Sequence, residues 1–225
     1  MQMTINDKIK RHIITLLAST VLILIIEQIR TAEGWGLKMH TWNKAFGDVS
    51  ILYVVLTLAI GSLSRISDKL AFLRPWARPI GIWAMVFALV HIIIVIGGWD
   101  DWNIWWLLGF TEIRDGSTQF NLPGFGFANV IGFIAALYGL VLLATSNDSS
   151  IKKLGTDSWK YLQQRSAHFL YVLASLHTVY FLFYYYYSYG RQAPPPNFFR
   201  TTFIIIIIVI TIIQALAFFK VIKKK

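Results

Sequence analysis

The sequence predicts an all-α integral membrane protein: a six-helix transmembrane bundle with an interfacial helix in the outer loop between the third and fourth helices. Its 225 residues are 56% hydrophobic and only 14% charged, whereas soluble domains are about 45–50% apolar and about 25% charged. Six apolar runs, each long enough to cross a bilayer, are separated by polar segments. Lysines and arginines concentrate in alternate segments, as expected for loops on the cytoplasmic side.

The predicted spans form one domain over 1–225 and cover about 13–29, 47–64, 79–97, 126–145, 162–187 and 200–219. The first follows a basic N-terminus and is predicted to be a retained helix, because no small-residue cleavage site follows and further spans come at once. The second ends in a basic loop containing Arg65, Lys69 and Arg74, which should be cytoplasmic. The third begins at Pro79, a residue suited to the first turn of a helix.

The segment 99–125 is acidic in balance and too polar to span the membrane. Its tryptophans at 99, 102, 105 and 106 have near-helical spacing, which predicts an interfacial helix and loop on the outer side. The fourth span returns to a short connection containing Lys152 and Lys153, and the sixth ends in KVIKKK. The expected location is therefore the inner membrane, with both termini cytoplasmic and lipid as one partner. The basic residues form no face with interleaved polar residues, so nucleic acid is not expected as a partner.

Two histidines inside apolar spans are the candidate site. Ionisable groups at membrane depth are costly and usually functional. His91 lies 13 residues after Arg78, and His177 lies 12 after Arg165, so both rise roughly 18–20 Å from the inner side and lie level. Level imidazoles on neighbouring helices can ligate a b-type haem. There is no cysteine, which excludes thiolate ligands and covalent haem attachment.

Other readings of these residues stay open. Each histidine could instead form a helix–helix hydrogen bond. His168 is nine residues before His177, on the opposite helix face, and reads as an ordinary interfacial histidine. Arg78 and Arg165 are either positive-inside anchors or partners of a haem propionate or an anionic lipid.

A second, inner haem would need ligands about 14 residues before each histidine, on nearly the same helix face. Those positions hold Ala77 and Gln163. The sequence therefore predicts one haem b per chain.

Two stretches resemble the ferric reductase-like transmembrane domain family, closest to the haem-binding membrane subunit of the bacterial periplasmic methionine-sulfoxide reductase system. The run from Leu142 to Gln163 has that family's T-S-N-D, L-G and W pattern before a histidine-bearing helix, although Gln163 stands where the family has a histidine. Arg78-Pro79-Ile80-Gly81, with His91 ten residues after the glycine, is similar to its third helix. The resemblance covers roughly 78–97 and 126–180, and it implies that His91 and His177 are haem ligands.

The expected function is electron transfer across the bilayer by a b-type cytochrome. Its donor would be a quinol or a cytoplasmic flavin reductase, and its acceptor an outer-side protein, a ferric chelate or oxygen. Quinone or flavin is thus a possible further cofactor, and separate donor and acceptor proteins are expected because the chain has no dinucleotide-binding glycine motif. The alternative is a non-redox scaffold or small-molecule-binding protein whose histidines only pack.

Overall fold

The computed structural model of the chain describes residues 4–34, 38–98, 101–112, 115–120, 125–184 and 196–223. Its α-helices are α1 (Ile5–Ala32), α2 (Lys38–Ile66), α3 (Arg74–Gly98), α4 (Ile104–Leu107), α5 (Phe125–Thr145), α6 (Asp148–Leu154), α7 (Thr156–Val179) and α8 (Phe199–Ile222). A 3-10 helix, Asp68–Leu73, connects α2 to α3, and a π-helix, Tyr180–Tyr184, continues α7.

Six helices in the described part of the chain are long and apolar enough to cross a membrane, which confirms the predicted multi-pass, helical membrane protein. They are α1, α2, α3 with its 3-10 turn, α5, α7 with its π-turn, and α8. Several run beyond the predicted spans, because their first or last turns carry polar residues that an apolar window omits; α2, for example, begins at Lys38. Residues 185–187 of the predicted fifth span lie outside the described residues.

The most extensive helix packing is between α2 and α3 and between α5 and α7. α2 is the most buried of the six, and it packs most extensively on α3, with α1 and α8 against its other sides. α5 packs on α7. The shared core includes Ile23 of α1, Val49 of α2, Phe87 of α3 and Phe203 of α8. This arrangement places α3 and α7, the two histidine-bearing helices, on opposite sides of one interface.

Between α3 and α5, the described residues contain less helix than predicted. Asp101 and Trp102 have φ values of 46° and 63°, a left-handed conformation that an α-helix cannot continue through. Helix α4 therefore begins only after these residues; it is a single turn, and the Asn103 side chain caps its start. It is followed by an antiparallel hairpin that the sequence did not predict, in which β1 (Phe110–Glu112) pairs with β2 (Thr118–Phe120). Trp99 lies outside the described residues.

Candidate functional site: two facing histidines

The structure brings His91 of α3 and His177 of α7 together. Their ring centres are 6.3 Å apart and the ring planes make an angle of 87°. Both side chains are part-buried and lie on facing helices. The two residues singled out from the sequence as a level pair therefore form one site.

His91 is held by the neighbouring helix α2. Its Nδ1 lies 3.0 Å from the backbone carbonyl oxygen of Asn43. In an α-helix that carbonyl points toward the residue four positions later, which here is Gly47. A Cβ added at Gly47 would lie 3.0 Å from His91 Nδ1. The glycine thus leaves the space through which the imidazole reaches the carbonyl.

His177 is held by α5 in the same way. Its Nδ1 lies 2.7 Å from the carbonyl oxygen of Ala128, and the residue four positions later is Gly132. A Cβ at Gly132 would come within 2.6 Å of the ring nitrogen, closer than real Cβ contacts allow. We call each carbonyl with its following glycine a histidine seat: Asn43 with Gly47, and Ala128 with Gly132.

The seats determine the tautomer of both imidazoles. A carbonyl oxygen can only accept a hydrogen bond, so each Nδ1 must carry its proton and donate it. The remaining nitrogen, Nε2, then keeps its lone pair and can bind a metal. A metal-ligating histidine almost always has such a second partner, which fixes the ring and raises its basicity as a ligand.

The spacing of the rings would allow one metal between the two imidazoles. Metal–nitrogen bonds are about 2.0–2.1 Å, and a ring centre lies about 1.1 Å from its nitrogen, so two imidazoles that held one metal would have ring centres up to about 6.3 Å apart. The observed ring centres are 6.3 Å apart.

Two imidazoles could hold a metal that brings its other ligands with it. Within the described residues, no group of three or more histidine, cysteine or acidic side chains could hold a bare ion. Haem supplies four ring nitrogens and needs only the two axial ligands. The side-chain oxygen of Asn43, beside the first seat, is buried and has no hydrogen-bond partner in the described structure, so it is available to a bound group.

Arg78, predicted as a cofactor-binding residue, is hydrogen-bonded at the C-terminal end of α5. Its guanidinium donates two hydrogen bonds to the Ser146 carbonyl, at 3.0 and 2.8 Å, and one to Asp148 at 2.8 Å. Hydrogen bonds from Lys8 and Arg78 lower the pKa of Asp148 to about 2. These bonds connect α1, α3 and α6, so a propionate-binding role for Arg78 stays a prediction.

The other predicted basic residue, Arg165, is exposed, and its guanidinium lies over the Tyr161 ring of its own helix. The same role stays a prediction for Arg165. His168 is also exposed, and its Nδ1 contacts the Gln164 carbonyl one turn earlier on α7. His168 is therefore not part of the facing pair.

A group of buried charges adjoins the first seat, and sequence analysis missed it. Arg30 of α1 is 1% exposed and donates to Asp48 of α2 at 2.5 Å. It also donates to Glu33 and to Asn197, which precedes α8. The group holds α1, α2 and the start of α8 together. Its member Asp48 directly follows Gly47 in the sequence.

The seat residues were also missed. Each seat binds its histidine through a backbone carbonyl oxygen. Every residue type has that group, so the sequence does not mark the position. The glycines inside apolar spans were the one usable signal, since a glycine there often marks a close approach.

Fold and site together define a multi-pass helical membrane protein with two facing, backbone-anchored histidines. The chain is similar to the magnetosome protein MamZ of Magnetospirillum gryphiswaldense, with 25% identity over 137 residues. The match covers 61% of this chain but only 19% of MamZ, so the chain spans about a fifth of the relative's length. No family model matches the chain.

Proposed function

We propose that the protein is a membrane b-type cytochrome, with His91 and His177 as axial ligands of one haem. It would take electrons from a quinol or a cytoplasmic flavin reductase and pass them to an outer-side protein, ferric chelate or oxygen. The observation that carries this proposal is the pair of imidazoles, 6.3 Å apart, each anchored through Nδ1. The resemblance to the ferric reductase-like family agrees with it.

The chain's own residues would position the ligands and keep water away. The two seats hold each Nε2 as a lone-pair donor before any metal arrives, so little ordering is needed on binding. Apolar and aromatic neighbours, including Phe181 with its ring centre 5.0 Å from that of His177, limit solvent access. Haem iron supplies one-electron redox chemistry, and the identity, hydrogen bonding and burial of its axial ligands set its potential.

The orientation belongs to the same proposal. With both termini cytoplasmic in the inner membrane, the basic α2–α3 connection lies inside and α4 lies outside. Trp102 and Trp105 are 67% and 68% exposed, as suits aromatic side chains at an outer interface. In this orientation the single-turn α4 is the interfacial helix.

An absorption spectrum of the detergent-purified protein tests the function. We expect sharp bands on reduction, because two imidazoles give a low-spin haem. His91→Ala and His177→Ala should each abolish haem retention, since either leaves one axial ligand. His168→Ala is the matched control and should keep the spectrum.

A protein expressed with sufficient haem that shows no haem bands would favour the non-redox scaffold. Loss of haem in His168→Ala with retention in His177→Ala would overturn the ligand assignment while leaving a cytochrome. The haem-to-protein ratio distinguishes these results.

A further inference from the structure

A groove lies between the C-terminal ends of α2 and α8, on the side of the bundle away from α4. Its volume is about 460 Å³, and it is open to the surface of the bundle. Its lining combines apolar walls with two cations: Ile66, Leu216, Phe219, Lys220 and Lys223.

The apolar and charged parts of the groove are separated along α8. Leu216 and Phe219 are more than half exposed and lie within the membrane-spanning helix. Lys220 and Lys223 lie in the next turn, at the helix end. A ligand that fills the groove therefore meets apolar surface toward the membrane and positive charge toward water.

Lys220 is fixed at the edge of the groove. Its ammonium group donates to the carbonyl of Ile66, the last residue of α2. Two of its three N–H donors remain for another acceptor. Lys223 is exposed.

The charge around this end is positive. Arg65 and Lys69 lie beside Ile66 in the sequence and are exposed, and Asp68 is the acidic residue in the same turn. With Lys220 and Lys223, four cations accompany one anion in these positions. A phosphate bearing one negative charge is therefore complementary to the groove.

We propose that this groove binds one anionic phospholipid, with its phosphate at Lys220 and Lys223 and its acyl chain along Leu216 and Phe219. A soluble anion would gain nothing from the apolar walls. A zwitterionic lipid would fill the walls but bring no net charge to the lysines. Basic pockets at the ends of membrane helices recognise acidic headgroups in this way. The inference does not depend on whether the histidines bind haem.

The test uses the full chain, delipidated in a neutral detergent, and fluorescent phosphatidylglycerol or phosphatidylcholine with identical acyl chains. The wild type should bind phosphatidylglycerol more tightly. Lys220→Gln/Lys223→Gln should weaken that binding roughly 25-fold, because each lysine contributes about fivefold. The affinity for phosphatidylcholine should stay unchanged. Lys152→Gln/Lys153→Gln is the matched control, because it removes two positive charges from α6 outside the groove, and it should bind like the wild type.

Lys223→Gln alone keeps the Lys220 contact with α2 and should lose roughly fivefold, which separates lipid binding from misfolding. Equal binding of both lipids, or an equal loss in the α6 control, would overturn the proposal. If millimolar inorganic phosphate displaced the fluorescent lipid as effectively as unlabelled phosphatidylglycerol does, the groove would be a site for small anions instead.

Discussion

At the residue scale, glycine decides whether each histidine can be anchored. An imidazole that bonds to a helix carbonyl must pass the side chain four residues later. At Gly47 and Gly132 that side chain is absent, and any Cβ would meet the ring at 3.0 and 2.6 Å. The two positions therefore matter for the site although neither contributes a polar side chain.

Gly132→Ala should reduce haem retention severely, and Gly47→Ala should reduce it less, because the first Cβ comes closer to its ring. Displacing His177 or His91 by a few tenths of an ångström lengthens the Nδ1 hydrogen bond and turns the ligand. The measurement is the haem-to-protein ratio, with thermal unfolding of the same samples to confirm folding.

Gly61→Ala is the control for these variants. Gly61 lies on α2, as Gly47 does, but an added Cβ there has no neighbour within 4 Å. Alanine in an open helical position is favourable by about 1 kcal/mol relative to glycine, so this variant should keep its haem. Normal haem content in Gly132→Ala would show that the seat does not position the ligand.

At the element scale, the buried charges hold α2 against α1 and α8. Arg30 and the Asp48 carboxylate are both buried, so neither is screened by water. Removing the Asp48 carboxylate leaves the buried Arg30 with Glu33, 3.4 Å away, as its acidic partner. Breaking a buried ion pair typically costs about 3–5 kcal/mol. The ion pair also adjoins Gly47, so its loss should loosen the first seat.

Asp48→Asn should therefore lower the free energy of unfolding by about 3–5 kcal/mol, measured in detergent by denaturant titration. Arg30→Met/Asp48→Leu should recover part of the loss, because both members of the buried pair are removed together. Asp148→Asn removes an exposed partner of Lys8 and Arg78 and should have a much smaller effect. A loss in Asp48→Asn no larger than in Asp148→Asn would contradict a stabilising role for the buried pair.

The order of the six spanning helices also predicts their orientation. Reporter fusions at Lys225 and beside Arg74 should both report cytoplasm, because basic residues gather at these ends. A fusion in the β1–β2 turn, near Gly116, should report the opposite side. A periplasmic signal at Lys225 or Arg74 would refute the six-span topology with cytoplasmic termini.

At the scale of the whole molecule, the two helix pairs resemble each other. In each, a seat helix is followed by a histidine helix, with 44 residues from Gly47 to His91 and 45 from Gly132 to His177. Leu-Tyr follows each glycine at the same distance, as Leu52-Tyr53 and as Leu137-Tyr138. Val-x-Ala-x-x precedes each histidine, with Val86 and Ala88 in one half and Val172 and Ala174 in the other. The α2–α3 and α5–α7 pairs thus share a repeated pattern of these few residues, and each pair contributes one imidazole.

Sequence alone predicted the six helices and the meeting of His91 with His177, because apolar length and depth along a helix are local properties. It did not predict the seats, since their hydrogen bonds join residues 48 and 49 positions apart. The repeated pattern is weak in the sequence, because its identical residues are few and widely spaced. Arg30 gave no signal either: its burial depends on α2 and α8 closing over the end of α1.

The repeat sharpens the prediction that the chain holds one haem. An inner pair of ligands would lie about 14 residues before each histidine, at Ala77 and Gln163, which are equivalent positions in the two halves. Ala77 has no ligating atom. The Gln163 side-chain amide donates to Thr145 Oγ1 at 2.8 Å. It thus links α7 to the C-terminal end of α5.

His168 cannot substitute for an inner ligand without unwinding α7, which would leave backbone groups unpaired in lipid. Pyridine haemochrome assay against amino-acid analysis should therefore give a value near one haem per chain. His91→Ala and His177→Ala should each reduce it to near zero, because the proposed function assigns both histidines to the same haem. A reproducible value near two, or half-loss in each histidine variant, would show that a second haem binds through residues outside the facing pair.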